Sequence, residues 1–254
     1  MNNKEICWNI TARCNQTCKY CHRFLNVTEL SYDENLKILN KLINQGVTDI
    51  TWTGGEALLI DYLDELLKIS WQNGINNKLI TNGKLLTNKK IDTIAKYMDS
   101  ITLSIDSIDN EINEKTGRGF NHYDTIKRIL DYIQINYPNI KIRINSVISS
   151  YTKEVDGLID FLNNYNIYSW RIFKFMPLRE LAITNMDCFY ISMEEYEQVL
   201  NSIKQKSRIE SIDSRTEIDM EKKYILILAD GSIMITENGK DIKIGNALID
   251  NIMI

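Results

Sequence analysis

Glu5-Ile-Cys-Trp-Asn-Ile-Thr-Ala-Arg-Cys14-Asn-Gln-Thr-Cys18-Lys-Tyr-Cys21 carries two signals in one stretch. Ile6 to Ile10 alternates apolar and polar residues at the period of a strand. The loop after it sets three cysteines, Cys14, Cys18 and Cys21, at C-x3-C-x2-C. That spacing lets three thiolates face one inorganic centre. A closed structural zinc site needs four protein ligands, and an ordinary four-iron cluster also takes four cysteines. Three would leave one iron open to a substrate or cofactor. The competing readings are a zinc site completed by a distant His, or thiols with no common task. His22 and His122 are the chain's two histidines, and neither forms a recognisable zinc pair.

Strand and helix patterns alternate outward from this stretch. Glu5 to Thr11, Asp49 to Thr53, Lys78 to Thr81, Ser100 to Ile105, Lys141 to Val147 and Ser169 to Phe175 read as strands. Helical stripes lie between them, the first opened by a capping box at Ser31 and Glu34 and closed at Gly46. Asp61 is placed to cap the second. Six such units predict an α/β protein, a partial (β/α)6 TIM-like barrel over residues 1–178 with helices outside. The loops after the strands then share one rim, where chemistry sits in such folds, and the cysteine loop is among them. After Pro177 the rhythm stops. Ser192 to Glu195 opens a further helix, Lys204 to Lys222 is polar, and Ala229-Asp-Gly231 reads as the turn of a hairpin. Residues 179–254 are expected to be an extension packed on the barrel.

Composition is that of a soluble globular chain: 254 residues, 44% hydrophobic, 25% charged. No apolar run is long enough to span a membrane. Met1 to Trp8 holds no apolar signal region, and thiols free to bind iron imply a reducing compartment, so the cytoplasm is expected. A net charge of −4 argues against a nucleic-acid polymer or a membrane surface as partner, but not against a local basic pocket for a small anion.

Several rim residues have chemistry to offer. In Thr53-Gly54-Gly55-Glu56 the glycines permit close backbone approach, and the carboxylate can pair with an ammonium or stay solvated in a tight turn. Asn82, in Thr81-Asn-Gly83, is a ligand or a turn residue. Alternation puts Thr102 and Ser104 on the interior face of the fourth strand. Arg118 sits between two glycines, its fork available to a carboxylate. In the fifth strand Arg143 and Asn145 face inward, and a buried Arg needs an anion, either a ligand or an internal Asp or Glu. Arg171 and Lys174 follow in the sixth strand, on opposite faces by alternation. No residue stands out as a general acid or base.

Cys14, Cys18 and Cys21, with Tyr20 before the last, resemble the signature of radical S-adenosylmethionine (SAM) enzymes. The resemblance implies a [4Fe-4S] cluster whose open iron chelates SAM. An external electron donor would supply the electron that cleaves SAM to a 5′-deoxyadenosyl radical, which abstracts hydrogen from a substrate. It further implies that Tyr20, Gly54, Gly55, Glu56, Asn82, Ser104 and Arg118 surround SAM, with Glu56 toward the amine and Arg118 toward the carboxylate. Ala57 stands where the family usually has Pro. Leu103 to Ser107, Thr116 to Gly119, Ile144 to Ile148, Tyr190 to Tyr196, and Tyr224 shortly before Asp230-Gly231 look like viperin and its prokaryotic counterparts. Those enzymes dehydrate a nucleoside triphosphate. Arg143, Asn145, Arg171 and Tyr224 would then contact a small-molecule nucleotide, with Arg at 143 and 171 replacing Lys. Ser169 stands where those relatives place an Arg, one cation fewer for a triphosphate. Asn9-Ile-Thr, the GGE stretch and Phe175 to Leu178 look like the GTP cyclase of molybdenum-cofactor synthesis, but nothing after Cys188 could supply its second cluster. A radical SAM peptide-modifying enzyme and a non-enzymatic metal-binding barrel are the alternatives.

Overall fold

The computed structural model describes residues 4–220, 225–237, 239–250 and 252. Ten strands form one sheet. β1 (Glu5–Thr11), β2 (Asp49–Gly54), β3 (Asn76–Thr81), β4 (Ser100–Ser104), β5 (Lys141–Ile148) and β6 (Ser169–Lys174) lie side by side in chain order, all parallel. Between them run α1 (Tyr32–Asn44), α2 (Leu63–Gln72), α3 (Asn88–Ile94), α4 (Asn110–Thr116), α5 (His122–Asn136) and α6 (Asp156–Leu162). The architecture is α/β, a curved parallel sheet of the partial TIM-like barrel type. No helix among the described residues is long and apolar enough to cross a membrane.

The alternation in β1 shows why the sheet curls this way. Ile6, Trp8 and Ile10 are fully buried against the helices, each contributing about 1.5–3 kcal/mol. Cys7, Asn9 and Thr11 line the interior instead. The same division repeats in β4, where Ile101 and Leu103 are buried outward while Thr102 and Ser104 face in. The helices begin where the sequence signals them: Ser31 and Glu34 form a reciprocal capping box on α1. Asp61 does not cap α2, whose first turn follows Tyr62 with no side-chain cap.

Three elements depart from the sequence reading. The polar stretch after α9 (Met193–Lys206) contains a seventh parallel strand, β7 (Ile212–Arg215), paired with β6 through Trp170–Ile212 and Arg171–Asp213. Its alternating positions are Asp213 and Arg215, so no apolar period announces it. α4 carries no apolar stripe to announce it, because its seven residues are mostly polar. Beyond the expected hairpin lies a further strand, β10 (Lys240–Asn246), antiparallel to β9 (Ser232–Glu237). β9 forms the expected hairpin with β8 (Leu226–Ile227), and β8 adds in parallel to the free edge of β1. The C-terminal segment thus extends both edges of the sheet. α7 (Glu180–Thr184) and α8 (Met186–Phe189) lead into α9.

Candidate functional site

A cavity of about 620 Å³ runs through the interior of the sheet. Cys14, Cys18 and Cys21 line one part of it, and the strand-borne cations Lys78, Arg143, Arg171, Lys174 and Arg215 line other parts. Lys78 is neutralised by Glu5 at 3.2 Å and Asp49 at 3.0 Å, near the start of the strands.

The cysteine loop is held from two sides by glycines. Gly55 N–H donates to the Thr11 carbonyl at 2.7 Å, and Glu56 N–H donates to that of Arg13 at 2.8 Å. A Cβ at Gly54 would lie 2.2 Å from the Thr11 oxygen, and one at Gly55 would lie 2.0 Å from the Arg13 oxygen. No side chain fits there. On the other side Thr17 N–H donates to Gly117 O, and Lys19 N–H to Thr116 O, where Gly117 has φ +88°. The paired glycines are therefore needed for close backbone approach, as the sequence suggests.

Glu56 is 1% exposed and does not line the cavity, whereas Gly54 and Gly55 do. Its carboxylate accepts from Asn82 N–H at 2.8 Å, from the Thr81 hydroxyl at 2.8 Å and from Leu58 N–H at 3.3 Å. Burial raises its pKa, and these donors oppose the rise. Glu56 thus ties the loop after β2 to the end of β3. Asn82 lines the cavity, and its Nδ2 donates to Asn15 Oδ1 at 2.8 Å, joining that same strand end to the cysteine loop.

Asp106, just beyond β4, is a junction that the sequence did not single out. It is 1% exposed. Its Oδ1 accepts from Val147 N–H at 2.7 Å; its Oδ2 accepts from the Tyr20 hydroxyl and, at 2.8 Å, from Arg118 Nε. The Arg118 guanidinium also lies 5.5 Å from the centre of the Tyr20 ring. Tyr20, Ser104 and Arg118 all line the cavity. Arg118 is committed through Nε, while its two Nη groups carry no bond among the described residues. His122 accepts at Nδ1 from Gln16 of the cysteine loop, 3.3 Å, and donates from Nε2 to the Ser104 carbonyl, 2.7 Å. Burial pushes its pKa down to about 4, so the ring is neutral.

The three thiols are free, and burial raises the pKa of Cys14 and, to about 11, of Cys18. Among the described residues no three Cys, His, Asp or Glu groups converge tightly enough to grip one ion. Three thiols on one cavity wall are the type of donor set that holds an iron–sulfur cluster.

The strand cations divide unequally. Arg143 donates to Ser169 Oγ at 3.2 Å and lies 4.6 Å from the Tyr168 ring centre, but it has no carboxylate partner among the described residues, and its Nε is buried without an acceptor. Arg171 pairs with Asp213 at 2.9 Å. Both alternatives drawn for a buried Arg are therefore present, an internal ion pair at Arg171 and an unpaired cation at Arg143. Asn145 sits beside Arg171 in register, lines the cavity and makes no side-chain hydrogen bond among the described residues. Lys174 also reaches the cavity, against strict alternation, because it ends β6. Arg215 and Arg179 were missed by the sequence reading. Arg179 clamps Asp241 of β10 at 2.6 Å and donates to the His22 carbonyl at 2.8 Å. Tyr224 lies outside the described residues.

Known proteins resemble this chain in sequence and in fold. The profile of the radical SAM superfamily matches residues 8–162. An S-adenosylmethionine-dependent nucleotide dehydratase of Flammeovirga pacifica is 30% identical, with 92% of this chain and 83% of that protein covered. One from Lacinutrix mariniflava is 29% identical over 88% of this chain, which spans 48% of that longer protein. Among solved structures, Streptococcus suis SuiB bound to precursor peptide SuiA superimposes with a TM-score of 0.76 at 17% identity, over 98% of this chain and 63% of that one. With a profile match over more than half its length and a relative at 30% identity, the chain belongs to the radical SAM superfamily, in the viperin-like family of nucleotide dehydratases.

Proposed function

We propose that this protein is a radical SAM enzyme that abstracts hydrogen from a nucleoside triphosphate and dehydrates it. The observation that carries the nucleotide reading is the charge distribution of the cavity. Beyond its internal pairs it keeps Arg143 without a counter-ion, and it sets Arg171 and Arg215 against the single carboxylate of Asp213. Guanidinium groups without full counter-charge on a cavity wall suit an anionic occupant. The dehydratase names of the relatives point the same way.

In this reading Cys14, Cys18 and Cys21 would hold the family's [4Fe-4S] cluster, and SAM would bind beside it. When bound, the two supply a hydrogen-abstracting radical. The chain's own residues do the rest. Gly54 and Gly55 present backbone on the cavity wall, and Glu56 fixes that loop through Thr81 and Asn82. Asn82, Ser104 and Tyr20 border the space for SAM, and the free Nη groups of Arg118 can fork onto a carboxylate. Arg143, Asn145 and Arg171, with Tyr224, would meet the nucleotide. The buried walls keep water from the reacting carbon.

The test is 5′-deoxyadenosine formation by the reconstituted, reduced enzyme across a panel of nucleoside triphosphates. One of them should raise the rate well above that with SAM alone, and a new dehydrated nucleotide should accompany it. A rate indifferent to every nucleotide removes the nucleotide reading. SuiB shares the fold and was solved with a peptide, so a peptide panel run alongside probes the alternative substrate class.

A further inference from the structure

We propose that Arg215, carried by β7, is a binding residue for the polyanionic end of the substrate, with Asp213 as the counter-ion it exchanges for phosphate. This deepens the nucleotide reading above and rests on it.

Asp213 and Arg215 are two residues apart on β7, so they share one face of the strand, and Arg215 lines the cavity. The register places Asp213 beside Arg171 and Arg215 beside Phe173. One carboxylate oxygen, Asp213 Oδ2, serves both guanidinium groups: Arg171 Nε at 2.9 Å and Arg215 Nη2 at 2.6 Å. Two positive charges thus face one negative charge, and the trio keeps a net +1 beside the unpaired Arg143. The trio is half-open, with Arg171 32% and Asp213 30% exposed, so a ligand can reach it; a trio that served only the fold would still satisfy its buried donors internally. This one does not. Arg215 is 13% exposed, its Nε is buried with no acceptor, and its Nη1 finds only the Ser214 carbonyl at 3.4 Å. Both Arg171 and Arg215 line the cavity. Two guanidinium groups spaced by one carboxylate oxygen present the spacing a phosphate oxygen can occupy, and a polyphosphate brings several such oxygens.

The register also orders the cations. Arg143 pairs with Ser169, Arg171 lies one inward-facing step further along, and Arg215 a further step toward the rim that carries the cysteine loop. A staggered row of this kind suits an extended polyanion better than a single carboxylate.

The experiment uses the cluster-loaded, SAM-bound protein and measures equilibrium binding of inorganic tripolyphosphate, of the four nucleoside triphosphates and of their nucleosides. Arg215→Met should weaken tripolyphosphate and the preferred triphosphate by roughly 10- to 100-fold, the range for one charge-assisted contact. Nucleoside binding, SAM affinity and iron content should hold. Arg215→Lys should retain part of the affinity. Asp213→Asn should bind tripolyphosphate at least as tightly as the parent. Arg215→Met binding tripolyphosphate within twofold of the parent overturns the assignment, while leaving the nucleotide reading intact. So does Asp213→Asn weakening it as much as Arg215→Met, which would mark the trio as scaffold. A parent protein that binds no triphosphate better than its nucleoside removes both readings together. Should Arg215→Met fail to fold, the Arg215→Lys and Asp213→Asn arms decide.

Discussion

Asp106→Asn is the most informative single substitution in this protein. The carboxylate is 1% exposed and receives three donors: Val147 N–H, the Tyr20 hydroxyl and Arg118 Nε. An amide keeps an oxygen for one side only. Turned so that its oxygen still accepts from Val147, it points an NH2 at the Arg118 Nε–H, donor against donor, and leaves a guanidinium that is 10% exposed without its counter-charge. Breaking a buried pair by removing one partner costs about 3–5 kcal/mol. The surviving Val147 bond and the freedom of the Arg118 Nη groups to find water place the expectation at the lower end, about 3 kcal/mol. For a chain of this size that is a fall in melting temperature of roughly 6–12 °C. Urea denaturation of the parent, of Asp106→Asn, of Arg118→Met and of the double variant gives a complete cycle. Removing Arg118 as well removes the stranded charge, so the double variant should recover more than about 1.5 kcal/mol relative to the sum of the singles. A single variant within 1 kcal/mol of the parent, or a coupling near zero, would refute the claim that this pair holds Tyr20 and the β4–β5 rim together.

Other expectations follow from the same geometry. Cys18→Ala should abolish cluster incorporation; a full complement of about four irons per chain after anaerobic reconstitution would contradict the ligand assignment. Gly55→Ala should cost at least 1–3 kcal/mol and reduce iron loading, since its Cβ would meet the Arg13 oxygen at 2.0 Å. Gly46→Ala, with φ +73° but open space, should cost only the backbone strain of about 1–2 kcal/mol and leave iron loading alone. His122 has a folded pKa near 4 against an ordinary value of 6.5, so the unfolded chain takes up its proton first as pH falls. Its contribution is present above pH 6.5 and is lost progressively toward pH 4, amounting to about 2 kcal/mol by pH 5. His122→Gln should flatten the stability–pH profile by that amount over this window; identical profiles would show that the ring is not held neutral.

Much of the scaffold was legible because periodicity reports burial. The strands β1 to β6 bury an apolar face against helices, and Ile6, Trp8, Ile10, Ile101 and Leu103 fall where alternation puts them. β7 was invisible for the opposite reason. Its inward residues are Asp213 and Arg215, and its pairing is supplied by β6 rather than by any apolar run of its own. The site divides along the same line. The spacing of Cys14, Cys18 and Cys21 stands out in the sequence, and Gly54 and Gly55 were readable because close backbone approach demands a residue without a side chain. Asp106 and Arg179 were not, since an Asp after a strand and an Arg in a loop look the same whether solvated or buried. Their roles depend on partners far along the chain, Tyr20 and Val147 for one, His22 and Asp241 for the other. Glu56 is the intermediate case. Its motif was recognisable, but only the fold shows the carboxylate turned toward Asn82 N–H and away from the cavity.

These contacts also explain what orders a loop whose three cysteines are separated by five intervening residues. Left alone, such a loop would lose its alignment to backbone entropy of about 1–2 kcal/mol per residue. Here its two flanks are tied by backbone hydrogen bonds to the Gly54–Glu56 turn and to Thr116–Gly117, and Gln16 is fixed by His122 and by the Arg118 carbonyl at 2.7 Å. Each of those anchors follows a strand: the turn follows β2, and Asp106, Arg118 and His122 follow β4. The folding of the sheet therefore meets part of that ordering entropy. Arg143, Arg171 and Arg215 sit on β5, β6 and β7, so a separate sector of the same sheet carries the cations proposed to meet the anion. On that account a substitution confined to Arg143, Arg171 or Arg215 should leave iron loading at the parental level, because none of these three touches the anchors of the cysteine loop.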